Sequence, residues 1–121
     1  MEAFQLGTGI RLARLEERVE TAAVNADGTV VAVGLPDGVG LWAPAAGVLR
    51  RSPGRGAVVT AVSPDGLVAA YGDERGQVRI WRPTLGQIEE LPADGVRIRA
   101  LALGGEGRTL LVANEASLLQ A

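Results

Sequence analysis

Adjacent carboxylates are the residues of this sequence whose type and spacing could carry acid–base chemistry. Two such pairs are adjacent glutamates in similar connecting segments, Glu16–Glu17 and Glu89–Glu90. One carboxyl of such a pair could act as an acid and the other as a base, provided that burial raised the pKa of one of them. These segments are polar, and nothing in them predicts burial, so we expect no catalytic residues.

The other polar residues also argue against a catalytic site. The 121 residues include no His and no Cys, which removes the commonest general base, the commonest metal ligand and all thiolate chemistry. Asp27, Asp37 and Asp65 each precede a Gly, a pair typical of turns. We therefore predict no enzyme activity, no cofactor and no metal site.

Charge and hydropathy argue against two further classes of protein, nucleic-acid-binding proteins and membrane proteins. Twelve basic residues, all of them Arg, face fourteen acidic ones for a net charge of −2, which does not favour nucleic-acid binding. Arg50, Arg51 and Arg55 form a small basic cluster, which we interpret as a solvated loop, with contact to an anion or acidic partner as the alternative. The sequence predicts no signal peptide and no membrane span, so we expect a cytoplasmic protein.

The strongest pattern is an internal repeat. Ala23 to Trp42 reads AVNADGTVVAVGLPDGVGLW, and Ala61 to Trp81 reads AVSPDGLVAAYGDERGQVRIW. Ala100 to Ala121 reads ALALGGEGRTLLVANEASLLQA. Each copy begins with an Ala, turns at an acidic–Gly pair, continues as an apolar strand and turns again, which predicts three successive short strands.

The repeat has a fixed period. Phe4, Trp42 and Trp81 occupy equivalent positions 38 and 39 residues apart, and Ala121 falls at the fourth equivalent position, 40 residues further on. A period near 40 with strands alone is typical of a β-propeller, in which each repeat forms one four-stranded antiparallel blade. The alternative of an amphipathic helix over residues 10–19 is disfavoured, because equivalent segments contain Pro53 and Pro92.

The residues VSPDG and VRIW resemble the WD40-repeat family of propellers, and VNADG with VGLW is a weaker match. Two departures are clear: the chain has no His, and Ala43 and Arg82 stand where the family has Asp after Trp. The resemblance implies a non-catalytic scaffold for protein–protein interaction, with Phe4, Trp42 and Trp81 packing the blades. A propeller that uses its central channel as an enzyme or to bind a small ligand is the alternative.

The repeat also predicts where the blades are divided, with strands named a to d from the channel outward. We expect one domain over residues 1–121, with a leading strand d at about 4–15. Blade repeats follow at about 21–59, 60–98 and 99–121, and the last of them ends after a strand c. Each chain thus supplies three blades' worth of strands.

Three blades are too few for a ring, since propellers typically have about four to eight. We therefore expect closure by oligomerisation, with the leading strand of one chain completing the last blade of the next. A homodimer with six blades is favoured, and a homotrimer with nine is second. A fragment of a longer protein, pairing with a different half-propeller, and a self-assembling building block remain open.

The resemblance also implies a partner-binding rim formed by the d–a and b–c loops. Its candidate residues are Arg18, Arg55, Glu74, Arg75, Asp94 and Glu115. The candidates for a channel ligand are Arg97 and Arg99, which flank the start of the third strand a.

Overall fold

A computed structural model describes residues 1–4, 11–54, 56–91, 98–104 and 108–114. Those residues form twelve short strands and one 3-10 turn, Pro83–Leu85. The first six strands are β1 (Glu2–Phe4), β2 (Arg11–Arg14), β3 (Thr21–Val24), β4 (Val31–Leu35), β5 (Gly38–Ala43) and β6 (Val48–Pro53). The other six are β7 (Val59–Val62), β8 (Ala69–Gly72), β9 (Val78–Arg82), β10 (Gln87–Leu91), β11 (Ile98–Gly104) and β12 (Thr109–Asn114).

The strands form two complete blades. The first blade has the order β3-β4-β5-β6 and the second blade the order β7-β8-β9-β10, and neighbouring strands in each are antiparallel. Strand β7 lies against both β3 and β11, so the strands a are next to one another at the inner side of the array. The predicted all-β architecture of four-stranded propeller blades is confirmed.

Two further sheets have two strands each within the described part of the chain. The leading hairpin pairs β1 with β2, and the trailing hairpin pairs β11 with β12. In the leading hairpin Phe4 lies opposite Arg11, just as Trp42 lies opposite Leu49 and Trp81 opposite Ile88. The leading hairpin therefore corresponds to strands c and d of a blade, with strand d over Arg11–Arg14.

The trailing hairpin corresponds to the other half of a blade. Leu103 pairs with Leu110 in it, at the repeat position where Val62 pairs with Ala69 in the second blade. Strands β11 and β12 are thus strands a and b. The third strand c that we predict for this blade falls on residues 115–121, outside the described residues.

The a–b turns explain why an acidic–Gly pair recurs. The Asp65 carboxylate accepts hydrogen bonds from the Ser63 hydroxyl (2.5 Å) and from the Leu67 N–H (3.0 Å), and the Ser63 Oγ in turn accepts one from the Val68 N–H (3.0 Å). These bonds, the one from Ser63 first, lower the pKa of Asp65. Asp27 has the same role in the first blade, where the Thr29 side chain is the main cause of its lowered pKa.

Ser63 should be sensitive to substitution because its side chain is fully buried. Ser63→Ala removes the acceptor of the Val68 N–H, and we expect a loss of about 1–3 kcal/mol in the free energy of unfolding. The pKa of Asp65 should rise toward its ordinary value, which carboxyl NMR titration can follow. A carboxyl whose pKa is lowered by folding stabilises the fold at a pH above its unfolded-state pKa, and this stabilisation is lost as the pH falls. The stability difference between wild type and Ser63→Ala should therefore shrink on acidification. An unchanged stability at neutral pH would contradict this assignment.

The main core lies between the two blades. Val39 and Leu41 of β5 pack there against Tyr71 and Trp81 of the second blade. Trp42 lies on the opposite face of the first blade, in a cluster with Leu15, Val19 and Leu49 among others. Because both Trp side chains are on the face that precedes their own blade, each closes the contact with the structure before it.

The turns of neighbouring blades also meet. The Asn25 side-chain amide donates a hydrogen bond to the carbonyl oxygen of Pro64 (3.2 Å), joining the a–b turns of the two blades. Gly66 has a φ of 77°, and a Cβ at this position would lie 2.8 Å from the Val30 Cγ2 atom. The close approach of the blades therefore requires Gly66 in this turn.

Candidate functional site

A cleft of about 560 Å³ opens between the first and second blades, on the side of the d–a and b–c loops. We call it the inter-blade cleft. It is lined by Arg18, Glu20, Pro36, Gly56, Ala57, Val58, Asp73, Glu74 and Arg75. Three of the six residues predicted for the rim, Arg18, Glu74 and Arg75, thus come together around one concave surface.

The b–c turn of the second blade presents Glu74 and Arg75. Its organising residue is Asp73, whose side chain accepts hydrogen bonds from the N–H groups of Arg75 (2.9 Å) and Gln77 (3.1 Å). Asp73 is buried, with 4% of its surface exposed, and its carboxylate lies 3.8 Å from the Arg79 guanidinium. The carboxylate therefore fixes the turn while Glu74 and Arg75 remain exposed to a partner.

The opposite wall comes from the segment that enters the first blade. Arg18 and Glu20 form an exposed ion pair at 3.0 Å, and the Glu20 N–H donates to the Gly34 carbonyl oxygen (2.7 Å), which extends the pairing of β3 with β4. An exposed ion pair contributes little to the free energy of unfolding. Either side chain can therefore leave this pair and bind a charged group of a ligand at a small cost in free energy.

The floor of the cleft is backbone. The Ala57 N–H donates to the Leu35 carbonyl oxygen (3.3 Å), and the Val58 N–H donates to that of Gly72 (2.9 Å). A Cβ on Gly56 would lie 2.8 Å from the Pro36 carbonyl oxygen. Residues 57 and 58 of the d–a connection are therefore hydrogen-bonded to the b strands of both blades, which fixes the floor between the charged walls.

The cleft is suited to recognition. It offers guanidinium and carboxylate groups on two walls around a backbone floor, an arrangement that can bind a polypeptide carrying both signs of charge. Within the described ranges no group of three or more acidic side chains could hold a metal ion.

The other predicted residues are distributed differently. Arg55, Asp94, Glu115 and Arg97 lie outside the described residues. Arg99 is exposed on β11 and does not line the cleft. Sequence reasoning missed Glu20 and Asp73, although a Gly three residues after Asp73 was a signal for a structured turn.

The prediction that the basic cluster is a solvated loop is wrong for Arg50 and Arg51. Arg50 and Arg51 lie in β6, where successive side chains are on opposite faces. Arg51 forms an ion pair with Glu17, whereas Arg50 borders a second cleft of about 310 Å³ with Leu41 and Val48 among its lining. The two Arg side chains therefore do not form one basic patch.

The carboxylates of each adjacent pair also contact different Arg residues. Across the β9–β10 pair, Glu89 contacts Arg82 (3.2 Å) and Glu90 contacts Arg79 (3.1 Å). Glu16 contacts Arg14 at 3.2 Å, and Glu17 contacts Arg51. Each carboxylate thus has its own Arg.

A solved β-propeller structure has an arrangement of blades similar to that of this chain. The chain is similar to the β-propeller domain of Cps50 (Swd1) from Myceliophteria thermophila, with a TM-score of 0.68 over 84% of this chain. The fold is that of a β-propeller. The match covers 34% of the Cps50 domain, so the chain spans about one third of its length, and at 15% identity the likeness concerns the fold alone.

Other comparisons add no relative. No protein-family model matches the sequence, and no curated protein is significantly similar to it. In the part of the chain that the structure describes, no helix has the length and apolar character needed to span a membrane.

Proposed function

We propose that this chain is a non-catalytic propeller scaffold that binds another protein at the inter-blade cleft. The observation that carries the proposal is the cleft itself, where Arg18 from one blade's entry and Glu74 and Arg75 from the next blade's turn face a common space. In proteins of many folds, binding residues are concentrated on loops that a rigid scaffold positions. The propeller neighbour, a domain of the same architecture, supports the scaffold class.

We further propose that the scaffold is a closed ring made of two chains and six blades. The described residues of one chain form two complete blades and two half-blades. This supports the number, because the halves of two chains would add two more blades. Six lies within the usual range of propellers, and the nine blades of a trimer lie just above it. Cyclic two-fold symmetry is also the commonest closure of homo-oligomers.

Charge reversal in the cleft tests the binding site. The double variant Arg18→Glu, Arg75→Glu should lose at least one protein that the wild-type chain retains from a cell extract, because two complementary charges become repulsive. Immobilised proteins and quantitative mass spectrometry measure this, followed by titration of the purified partner, for which we expect at least a tenfold weaker affinity.

The matched control is Arg50→Glu, which reverses an exposed charge outside the inter-blade cleft. This variant should retain the same protein as the wild type. A partner that binds the double variant and the wild type equally would contradict the cleft assignment.

A further inference from the structure

Two apolar side chains are exposed in this chain although their counterparts in the repeat are buried. Val24 at the end of β3 is 60% exposed, whereas Val62, at the same position of the second blade, is 8% exposed. Leu111 in β12 is 66% exposed, whereas its counterpart Ala70 is fully buried. The surroundings of equivalent positions therefore differ, which is clearest for Val24 and Val62 because they are the same residue.

The buried counterparts show what is missing. Val62 packs against the first blade, which precedes it, in a cluster with Val39 and Leu41. Ala70 packs in the opposite direction, in a cluster that the trailing hairpin covers with Leu101, Leu103 and Leu110. Val24 therefore exposes the surface that expects a preceding blade, and Leu111 exposes the surface that expects a following one.

The leading and trailing hairpins together contain the four strands of one blade. The leading hairpin has strands c and d, and the trailing hairpin has strands a and b. Within one chain they are parts of separate sheets, with both complete blades between them in sequence.

We propose that the occupant of both surfaces is a second copy of this chain. Its whole leading hairpin adds to β12 and completes a blade, which then packs through Leu111 on the Val24 side of the second copy's first blade. This inference deepens the two-chain ring proposed above and rests on it. It assigns the junction to a c–d hairpin rather than to the single strand d that the sequence predicts.

The repeat predicts the register of the new strand pair. Strands b and c pair Val31 with Trp42 in the first blade and Ala69 with Trp81 in the second. The same offset brings Phe4 of one chain opposite Leu110 of the other. One residue further along, Ala3 lies opposite Leu111, as Leu41 lies opposite Ala32.

One competitor for this position is in the chain's own sequence. Residues 118–121 occupy the same repeat position as residues 1–4, so Gln120 would lie opposite Leu111 if a chain supplied its own strand c. The two possibilities differ in whether the residue opposite Leu111 belongs to another chain or to the same one.

Disulfide trapping distinguishes a strand supplied by another chain from one supplied by the same chain. The chain contains no Cys of its own, and directly opposed strand residues are close enough to be bridged. Ala3→Cys chains are mixed with Leu111→Cys chains, unfolded, refolded together and oxidised, and intact mass identifies the product. We expect a disulfide between one chain of each kind. The control Ala3→Cys with Val112→Cys, one residue out of register, should give at least tenfold less product.

The outcomes are distinct. An intramolecular disulfide in the double variant Leu111→Cys, Gln120→Cys would overturn the hairpin junction. So would the absence of the Ala3–Leu111 disulfide in a sample whose mass is that of two chains, although the ring proposal would then stand. A folded single chain as the only species at high concentration would overturn both.

Discussion

The variant Trp81→Ala should lose about 3–5 kcal/mol in its free energy of unfolding. Trp81 is 8% exposed and packs with Val39, Leu41 and Tyr71 in the core between the two complete blades. Truncation to Ala leaves a cavity in that core and removes the contacts of the indole ring. Small domains have about 5–15 kcal/mol of stability in total, so the variant should be close to unfolding at 37 °C. Urea denaturation followed by circular dichroism measures the loss.

The matched control is Ile88→Ala. Ile88 lies directly opposite Trp81 in the β9–β10 pair, but its side chain is 49% exposed. Its truncation removes less buried apolar area and should cost about 1 kcal/mol or less. If Trp81→Ala cost no more than Ile88→Ala, the inter-blade core would not be the main source of stability.

The second large effect is expected at the proposed junction between two chains. Val24→Arg places a charge on the exposed apolar surface that would contact the second copy's completed blade. A central interface position of this kind contributes about 2 kcal/mol or more, so the dissociation constant of the dimer should rise by roughly thirtyfold or more. Sedimentation equilibrium over a range of concentrations measures the change.

Leu85→Arg is the control for that variant. Leu85 is 64% exposed, as open as Val24, but it lies in the 3-10 turn between β9 and β10. This change should leave both the circular dichroism spectrum and the dissociation constant as in the wild type. Equal weakening by both variants, or none by Val24→Arg, would contradict the proposed position of the junction.

The repeat was readable from sequence because each blade must solve the same local problems. Trp42 and Trp81 must close the contact with the preceding structure, and the Asp–Gly pairs must turn strand a into strand b. Those requirements act within about 40 residues, so they leave a period in the sequence. This explains why the strand order of both complete blades was predictable.

Features that depend on a neighbour were not readable in this way. Val24 and Val62 are the same residue at the same position, and only the presence of a preceding blade makes one exposed and the other buried. Nothing in the sequence singles out Asp73 beyond a Gly three residues later, whereas in the structure its buried carboxylate organises the loop beside the inter-blade cleft. The cleft itself joins Arg18 to residues 74 and 75, a separation that no local pattern records.

The absolute mass of the particle in solution tests the central claim most directly, namely that these blades complete a ring with a second copy. Light scattering coupled to size-exclusion chromatography should give twice the 12.5 kDa mass of the chain. Three times that mass would indicate nine blades instead of six. A folded particle of 12.5 kDa that stays monomeric at high concentration would contradict the ring.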